Sequence, residues 1–448
     1  MRTEKDSFGE SNVPDEAYYG PFTARASRLN VSNTLFFPNE FIYSYALLKK
    51  ASALSNLKLK KIDSHRANAI AEACDEVRRG KYNGDFLIGA IQAGAGTSMN
   101  MNLNEVICNR ALELMGKKKG DYVTIHPNDH VNLSQSTNDT FPSAVHVTAS
   151  IILFRHLLPA LEKLEDAFRK KAAEFQGIVK SGRTHGQYAV PLFLGDEFSG
   201  YAGIISKNRE AIKNSGEGLL ELCIGGSAVG TGINSGRLFG SEVVSLLNKE
   251  TGLGFSLSEN YFASMQNITA ISHASSSLKD FALALSKIAC DLKVLSSSDV
   301  GEVSLRAIQP GSSIMPGKVN PSIPELTQMS CYRVAGNDCT VSFCQQAGSL
   351  ELNVMMPIAG YCLLESMEIL EKTSVLMAEC VSGIIPNSEK IAFHLDENPI
   401  VLTALNEKIG YDKVSELVKK VGKGKSLGQV LKEENLEMPD VNKLAKPN

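Results

Sequence analysis

The chain has 448 residues, of which 43% are hydrophobic and 21% charged, the composition of a protein that folds around a large core. Its formal net charge of −3 gives no electrostatic reason to expect nucleic acid or a membrane surface as a partner. The N-terminus is charged, and no run approaches about 18 uninterrupted apolar residues, so we expect neither a signal peptide nor a transmembrane helix.

The cysteines are scattered along the chain. None of the nine forms a C-x-x-C pair, so the sequence indicates neither a zinc site nor a redox motif. An odd, dispersed set suits reduced thiols, and we expect a cytoplasmic protein.

The first part of the chain, residues 1–130, is predicted to form a mixed, mostly helical domain. Helices are expected at Glu40–Asn56 and Ser64–Arg79, between turns rich in Gly, Pro and Asn. Strand patterns are scarce, and Tyr122–Ile125 is one short candidate.

Long helical patterns fill residues 131–385. A stripe covers Phe154–Phe168, with Pro159 inside it, where a proline should kink the helix. Further apolar helices are predicted from about Glu325 to Gly348 and from about Met356 to Ile384. The most regular stripe, with spacings of 3, 4, 3, 4 and 3, consists of Leu278, Phe281, Leu285, Ile288, Leu292 and Leu295. This period predicts a central bundle of long helices.

Shorter and more charged helices follow Pro386. We expect helices at Ile400–Ile409 and Lys413–Val421, and a last helix from Ser426. The predicted fold is therefore mainly all-α, in three segments that end with a small helical domain at 386–448.

Four polar segments interrupt the helical pattern where packing does not explain their residues. They are Gly94–Asn100, His126–Pro142, Ser181–Gln187 and Gly311–Asn320. In the second, Ser136, Thr137 and Asn138 supply hydroxyl and amide donors just before a helical pattern. Such donors at a helix N-terminus either bind a carboxylate or cap the helix.

The third and fourth segments allow two interpretations each. Thr184 and His185 either bind an anion or move a proton, or they are satisfied locally in a Gly-rich turn. Lys318 and Asn320 either hold a negative charge or are solvated surface residues.

The segment at 296–324 is irregular and lies between two long helical patterns. Such a long irregular connection is more often functional than accidental. Gly311 and Gly317 permit motion, whereas Pro310 and Pro316 limit it, so we predict a lid that closes over substrate.

The string GSSIMPGKVNP at 311–321 resembles the signature of the fumarase/aspartase superfamily. The other three segments resemble the active-site regions of that family, in the same order. Further similarity covers EKDSFGESNVPDEAYYG near the start, GGSAVGTGIN at 225–234 and ALNEKIGY at 404–411. The resemblance thus extends over nearly the whole chain.

The resemblance implies a mechanism. Ser312 resembles the general base that removes the proton beside a carboxylate, and it must be activated to an alkoxide by nearby cations and backbone donors. Thr97, Ser136 and Thr137 resemble binders of that carboxylate, where negative charge builds up in the aci-carboxylate intermediate. Ser98 is expected to bind substrate beside Thr97.

Other roles follow from the same resemblance. Lys318 completes the catalytic set with Ser312 and His185, and Lys318 and Asn320 resemble residues that hold negative charge near the lid. Ser313 is expected to bind substrate with them. Asn138 resembles the contact to the leaving amine or hydroxyl.

Thr184 and His185 resemble binders near the other carboxylate and the leaving group, with Glu325 as the partner of His185. The family is typically a homotetramer in which three subunits contribute to each active site. The substrate is a small amino acid or dicarboxylate, and no cofactor or metal is implied.

The sequence leans towards one branch of the family. Ser-Thr-Asn at 136–138, Gly-Thr-Ser at 96–98 and Asn-Pro-Ser-Ile-Pro-Glu at 320–325 resemble aspartases. Thr-Phe-Pro at 140–142 leans towards fumarases, and His185 leans the same way or is neutral. The balance favours an ammonia-lyase that converts L-aspartate to fumarate, with fumarate hydratase as an alternative.

Two departures leave the substrate open. Tyr43 stands where the family typically has arginine, and Tyr188 stands where it usually has aspartate. A phenol cannot form a bidentate charge pair with a carboxylate. Aromatic residues suit a quaternary ammonium, as in ergothionase, a related lyase that eliminates trimethylamine from ergothioneine. The other interpretation is that Tyr43 only packs; a non-catalytic scaffold role, as in lens proteins, is a further alternative.

Overall fold

The computed structural model describes residues 1–421 and 424–446. Their contacts divide the chain into two compact units, each assembled from three stretches of sequence. Unit 1 contains 1–158, 211–280 and 333–370, and unit 2 contains 159–210, 281–332 and 371–448. The predicted division into three successive segments stays a prediction.

Short strands pair two by two in the described residues: β1 with β2, β3 with β4, β5 with β6 and β7 with β8. Their bounds are β1 Arg2–Asp6, β2 Gly9–Val13, β3 Val179–Thr184, β4 Gln187–Phe193, β5 Glu221–Leu222, β6 Ser256–Leu257, β7 Val303–Ser304 and β8 Ile385–Pro386. Only β5 and β6 are parallel among these pairs.

Helices make up most of the described chain. Their bounds are α1 Pro21–Ala26, α2 Asn39–Lys58, α3 Ser64–Arg78, α4 Thr97–Leu114, α5 Thr137–Ile152, α6 Leu158–Glu174, α7 Leu194–Gly216, α8 Phe239–Thr251, α9 Tyr261–Gln266, α10 Thr269–Leu295, α11 Ser322–Gln346, α12 Met356–Ser382, α13 Ser388–Asp396, α14 Asn406–Ile409, α15 Tyr411–Val421, α16 Leu427–Glu433 and α17 Val441–Leu444.

In unit 1, α2 packs against α3, α5 and α8. Its Ala- and Ser-rich sequence lets these helices approach closely. Aromatic rings fill the contact with α5: the Phe141 centroid lies 5.4 Å from that of Phe41 and 6.2 Å from that of Tyr45. These three rings fix the depth at which the beginning of α5 sits beside α2.

In unit 2, Phe168 of α6 packs on Phe198 and Tyr201 of α7, with centroids 5.9 and 5.7 Å apart. Near the C-terminus of the chain, the 3-10 helix Pro399–Leu405 and the short helices that follow it share a small core of their own. Its buried members are Val401, Leu402, Leu405, Val414, Leu417, Val421, Leu427, Val430 and Leu431.

The mainly α-helical fold is confirmed. The stripe from Leu278 to Leu295 is buried, as its period predicts. The helix around Pro159 is interrupted by a widened turn at Leu153–Leu157, which ends two residues before the proline that cannot donate a hydrogen bond. The predicted irregular segment is also present, because between α10 and α11 only β7 is regular among the described residues.

The strand predicted at Tyr122–Ile125 is wrong. The amides of Thr124 and Ile125 bond back to the carbonyl of Asp121, so this segment is a local turn. The hairpins β1–β2 and β3–β4 were not predicted from the sequence.

Helical residues 137–174 have the length and hydropathy of a membrane span, but 61% of their most apolar window is buried inside the structure. Burial of that kind is found in core helices, so this is weak evidence for a membrane helix.

Candidate active site

In unit 1, the first polar segment packs against the beginning of α5. Gly96 has φ +95°, and a Cβ there would lie 2.3 Å from the ring of Phe141, so only glycine allows this approach. Thr97 follows as the first residue of α4, with its hydroxyl donating to the carbonyl of Gly94 at 2.7 Å. The next residue, Ser98, is buried.

Ser136 caps α5. Its Oγ accepts from the amide of Asn138 at 3.2 Å, and its own amide donates to Asp139 Oδ1 at 2.9 Å. The capping interpretation is therefore correct for Ser136, and it leaves the serine hydroxyl hydrogen available to a ligand. Thr137 begins the helix directly beside it.

The backbone of residues 225–228 is hydrogen-bonded to side chains at the N-terminus of α5. Asn138 Nδ2 donates to the carbonyl of Ala228 at 2.9 Å. The carboxylate of Asp139 accepts from the amides of Gly225 and Ser227 at 3.0 and 2.9 Å. Burial raises the pKa of Asp139 to about 7, against the opposing effect of its backbone donors.

A buried polar network lies behind Thr137. Asn100 of α4 donates from Nδ2 to Thr137 Oγ1 at 2.9 Å, and Tyr45 donates to Asn100 Oδ1 at 2.8 Å. Lys49 of α2 donates to Asn132 Oδ1 at 2.8 Å, and its pKa is lowered to about 7 by burial. This network was not predicted, although polar residues at buried helical positions were a signal for it.

In unit 2, the third polar segment forms the tip of the hairpin β3–β4. Thr184 pairs with Gln187, and His185 and Gly186 turn the chain with φ +56° and +74°. Thr184 and His185, both predicted to contact substrate, are exposed at the tip. The hairpin has a bulge at Gly182, where a Cβ would lie 2.5 Å from the carbonyl oxygen of Val190.

Two ion pairs hold the base of this hairpin to the residue that precedes β7. Glu302, fully buried, lies 2.8 Å from Lys180 Nζ and 2.7 Å from Arg183 Nη1. Both cations belong to β3, whereas Glu302 directly precedes β7. The carboxylate therefore anchors the strand that leads to Thr184 to the start of the irregular segment.

The fourth polar segment closes on itself as a loop. The amide of Gly311 donates to the carbonyl of Lys318 at 2.9 Å, and Asn320 Nδ2 donates to the carbonyl of Gly311 at 2.8 Å. A Cβ at Gly311 would lie 2.3 Å from the oxygen of Lys318, so glycine is required there. Residues 307–312 and 315–319 line a cleft of about 420 Å³ that includes Ser312 and Lys318.

Ser312 lies in this loop with its oxygen turned towards backbone donors. Its Oγ accepts from the amides of Ile314 and Met315 at 3.2 and 3.0 Å. Hydrogen bonds donated to an oxygen favour its anionic form. The local geometry therefore agrees with the predicted activation of Ser312 to an alkoxide, which stays a prediction.

The remaining predicted residues of unit 2 lie near this loop in sequence. Ser313 and Lys318 are exposed, and within the described part of the chain no hydrogen bond or ion pair involves either side chain. Glu325 is in the first turn of α11. No hydrogen bond joins it to His185 among the described residues, so their partnership stays a prediction.

Tyr43 and Tyr188, the two residues that differ from the family pattern, each form a hydrogen bond through the hydroxyl group. Tyr43 accepts a hydrogen bond from Asn83 Nδ2 at 2.9 Å. Tyr188 Oη lies 2.8 Å from His394 Nδ1, and His394 Nε2 lies 2.8 Å from the carbonyl of Val300. That carbonyl can only accept, so Nε2 donates to it, and in the neutral imidazole Nδ1 accepts from Tyr188.

The predicted site residues thus form two groups. Unit 1 holds Tyr43, Thr97, Ser98, Ser136, Thr137 and Asn138, and unit 2 holds Thr184, His185, Ser312, Ser313, Lys318, Asn320 and Glu325. Within unit 1 the structure joins the first two polar segments through Asn100 and Thr137. Tyr43 bonds instead to the turn at Asn83.

The nine cysteines are free thiols. Over residues 1–421 and 424–446, no three His, Cys, Asp or Glu side chains are grouped to hold a metal ion.

Comparison with known proteins agrees with the mainly α-helical fold. A family model described as lyase matches residues 9–336. The chain is 42% identical to a class II fumarate hydratase of Thermus thermophilus over 461 residues, covering 100% of this chain and 99% of the relative. It is 41% identical to an aspartate ammonia-lyase of a Bacillus species over 424 residues, covering 94% and 90%.

A class II fumarase from Schistosoma mansoni has a similar crystal structure, with a TM-score of 0.94 and 36% identity, covering 100% of this chain and 99% of that one. The chain belongs to the fumarase/aspartase superfamily and is a lyase of that superfamily.

Proposed function

We propose that the protein eliminates ammonia from L-aspartate to give fumarate. Ser312 takes a proton from the carbon beside one carboxylate, and the electron pair of that C–H bond moves into the carboxylate to form the aci-carboxylate. The pair then returns to form the carbon–carbon double bond, and the C–N bond breaks with its electrons on nitrogen. Thr97, Ser136 and Thr137 stabilise the charge while it resides on the carboxylate.

One observation at Asn138 favours an amine over a hydroxyl as the leaving group. The amide nitrogen of Asn138 donates to the carbonyl of Ala228, which settles the orientation of the side chain. Its Oδ1, which no hydrogen bond occupies among the described residues, remains as an acceptor. An ammonium group has only donors and matches an acceptor, whereas a departing hydroxyl needs a proton that this oxygen cannot supply.

Fumarate hydration is the second candidate. It is favoured by His185, which can carry a proton to a leaving hydroxyl, and by the class II fumarate hydratases among the relatives. An amine-lyase acting on a substrate such as ergothioneine has less support at Tyr188, because the guanidinium carbon of Arg183 already lies over that ring, 5.4 Å from its centroid.

We also propose a cytoplasmic homotetramer whose active sites combine residues of three subunits. Apolar side chains stand exposed along two long helices, namely Leu283 and Val294 on α10 and Met329, Tyr332 and Phe343 on α11. Exposed apolar faces on bundle helices are typical of surfaces that pair with further copies. Such pairing would bring segments from different subunits to one site.

The deciding experiment offers L-aspartate and L-malate separately to the purified protein and follows fumarate by its ultraviolet absorbance. We expect turnover of L-aspartate. Turnover of malate alone would make the protein a fumarate hydratase. If neither substrate reacts in a folded tetramer, the dicarboxylate proposal fails and ergothioneine is the next substrate to test.

Replacing Tyr188 with phenylalanine separates packing from substrate recognition. The variant loses the bond to His394, so we expect the free energy of unfolding to fall by about 1 kcal/mol. The KM for the substrate should stay within about twofold, because only a structural bond is removed. Denaturant unfolding and steady-state kinetics measure the two effects. A large rise in KM with unchanged stability would assign Tyr188 to substrate binding.

A further inference from the structure

In the hydrogen-bond network behind Thr137, the donor and the acceptor of each bond can be assigned from the side chains that take part. Lys49 is fully buried, and its Nζ donates to Asn132 Oδ1 at 2.8 Å and to Gln135 Oε1 at 3.0 Å. The other end of the Asn132 amide, Nδ2, donates to the carbonyl of Gln135 at 3.3 Å. These bonds identify the facing atoms of both amides as oxygens. The lysine thus turns the acceptor end of Asn132 inwards.

The orientation of Asn132 determines the orientation of the Asn100 amide. Its amide group lies 3.3 Å from Asn132 Oδ1, which is already an acceptor, so Asn100 must present Nδ2 there. The other end, Oδ1, then accepts from Tyr45 at 2.8 Å. With both ends assigned, the second hydrogen of Nδ2 points to Thr137 Oγ1 at 2.9 Å.

A hydroxyl that accepts from Asn100 is not using its hydrogen for that contact. The hydrogen of Thr137 therefore remains available as a donor. No other hydrogen bond from Thr137 Oγ1 is present among the described residues. A carboxylate, which only accepts, is the ligand for which this orientation matters most.

We propose that Asn100 is a positioning residue that holds the Thr137 hydroxyl as a donor to the substrate carboxylate, with Lys49 setting the direction of the network. This inference rests on the proposed function, because it requires Thr137 to contact a carboxylate. It adds two buried side chains to the determinants of binding. Asn100 acts through Thr137 and does not itself touch substrate.

The test is a double-mutant cycle on the intact protein, with the dissociation constant of succinate as readout. Succinate is a dicarboxylate without a leaving group, so its binding is measured by calorimetry without turnover. We expect Asn100→Ala and Thr137→Val each to raise the Kd by about tenfold, the usual size for a hydrogen bond to a charged group. The double variant should bind no more weakly than Thr137→Val alone.

Asn102→Ala is the matched control. Asn102 is buried on the same helix, and its amide bonds to the backbone of Asp85 and Leu87 at 2.9 and 3.0 Å, so the substitution removes a similar side chain without touching Thr137. We expect its Kd for succinate to stay within about twofold of the parent value. A tenfold loss in this control would attribute the effect of Asn100→Ala to general loosening of the helix and overturn the proposal.

Asn100→Asp keeps the volume and provides a second variant if alanine does not fold. An aspartate accepts from Thr137 and turns its hydrogen away from the ligand, so succinate should bind at least tenfold more weakly. Unchanged affinity in this variant, or additive losses in the cycle, would refute the inference. If the parent protein bound no succinate, the proposed function itself would fail, so the two failures are distinguishable.

Discussion

Replacing Ser312 with alanine is expected to abolish turnover while leaving the fold and assembly intact. Removal of a positioned base typically costs about 10²–10⁴-fold in rate. In this loop the effect should lie at or beyond the upper end, because no other side chain in the described loop can replace an oxygen held by the amides of Ile314 and Met315. The measurement is kcat by fumarate absorbance, with circular dichroism and size-exclusion chromatography as checks of structure.

The matched control is Ser298→Ala in the same irregular segment. Ser298 is exposed, and the described structure contains no hydrogen bond from its side chain. Its substitution should leave kcat and KM unchanged. If Ser312→Ala kept a near-normal rate, the base would have to be assigned to another residue, whatever substrate the enzyme uses.

Helical period accounts for most of what the sequence predicted correctly about the fold. The stripe from Leu278 to Leu295 repeats over many turns, and burial of one face leaves a strong periodic signal. Tyr122–Ile125 has the composition of a strand but only four residues. Local bonds to Asp121 can satisfy such a short segment, so composition alone did not determine its conformation.

The candidate site was predictable where its residues are contiguous. The loop at 311–320 and the tip at Thr184–His185 are each specified by neighbouring residues. The connection from Lys49 through Asn100 to Thr137 joins three separate stretches of sequence, which no local pattern reports. Glu302 was missed for the same reason, since its role depends on cations more than 100 residues earlier.

Glu302→Ala is expected to produce the largest loss of stability among these substitutions. The variant leaves Lys180 and Arg183 without the fully buried carboxylate that lies within 2.8 Å of both. Lys180 keeps its ion pair with Glu197 at 2.7 Å, so the cation that loses its carboxylate is Arg183. Removing one partner of a buried ion pair typically costs about 3–5 kcal/mol, because the remaining charge stays desolvated. Urea denaturation should show this loss in the free energy of unfolding.

A surface ion pair supplies the control. Glu433 pairs with Lys425, and both side chains are about half exposed, at 49% and 46%. Exposed pairs contribute little, so Glu433→Ala should leave the unfolding midpoint nearly unchanged. Equal effects of the two substitutions would contradict the role assigned to Glu302.

Glu302→Gln tests whether the same carboxylate also supports catalysis. The amide keeps the volume and one acceptor but loses the charge that holds Lys180 and Arg183 of β3. Because β3 leads to Thr184 and His185, we expect kcat to fall under conditions where the variant is still fully folded. A folded variant with parental kcat would mean that Glu302 stabilises the hairpin without determining where its tip lies.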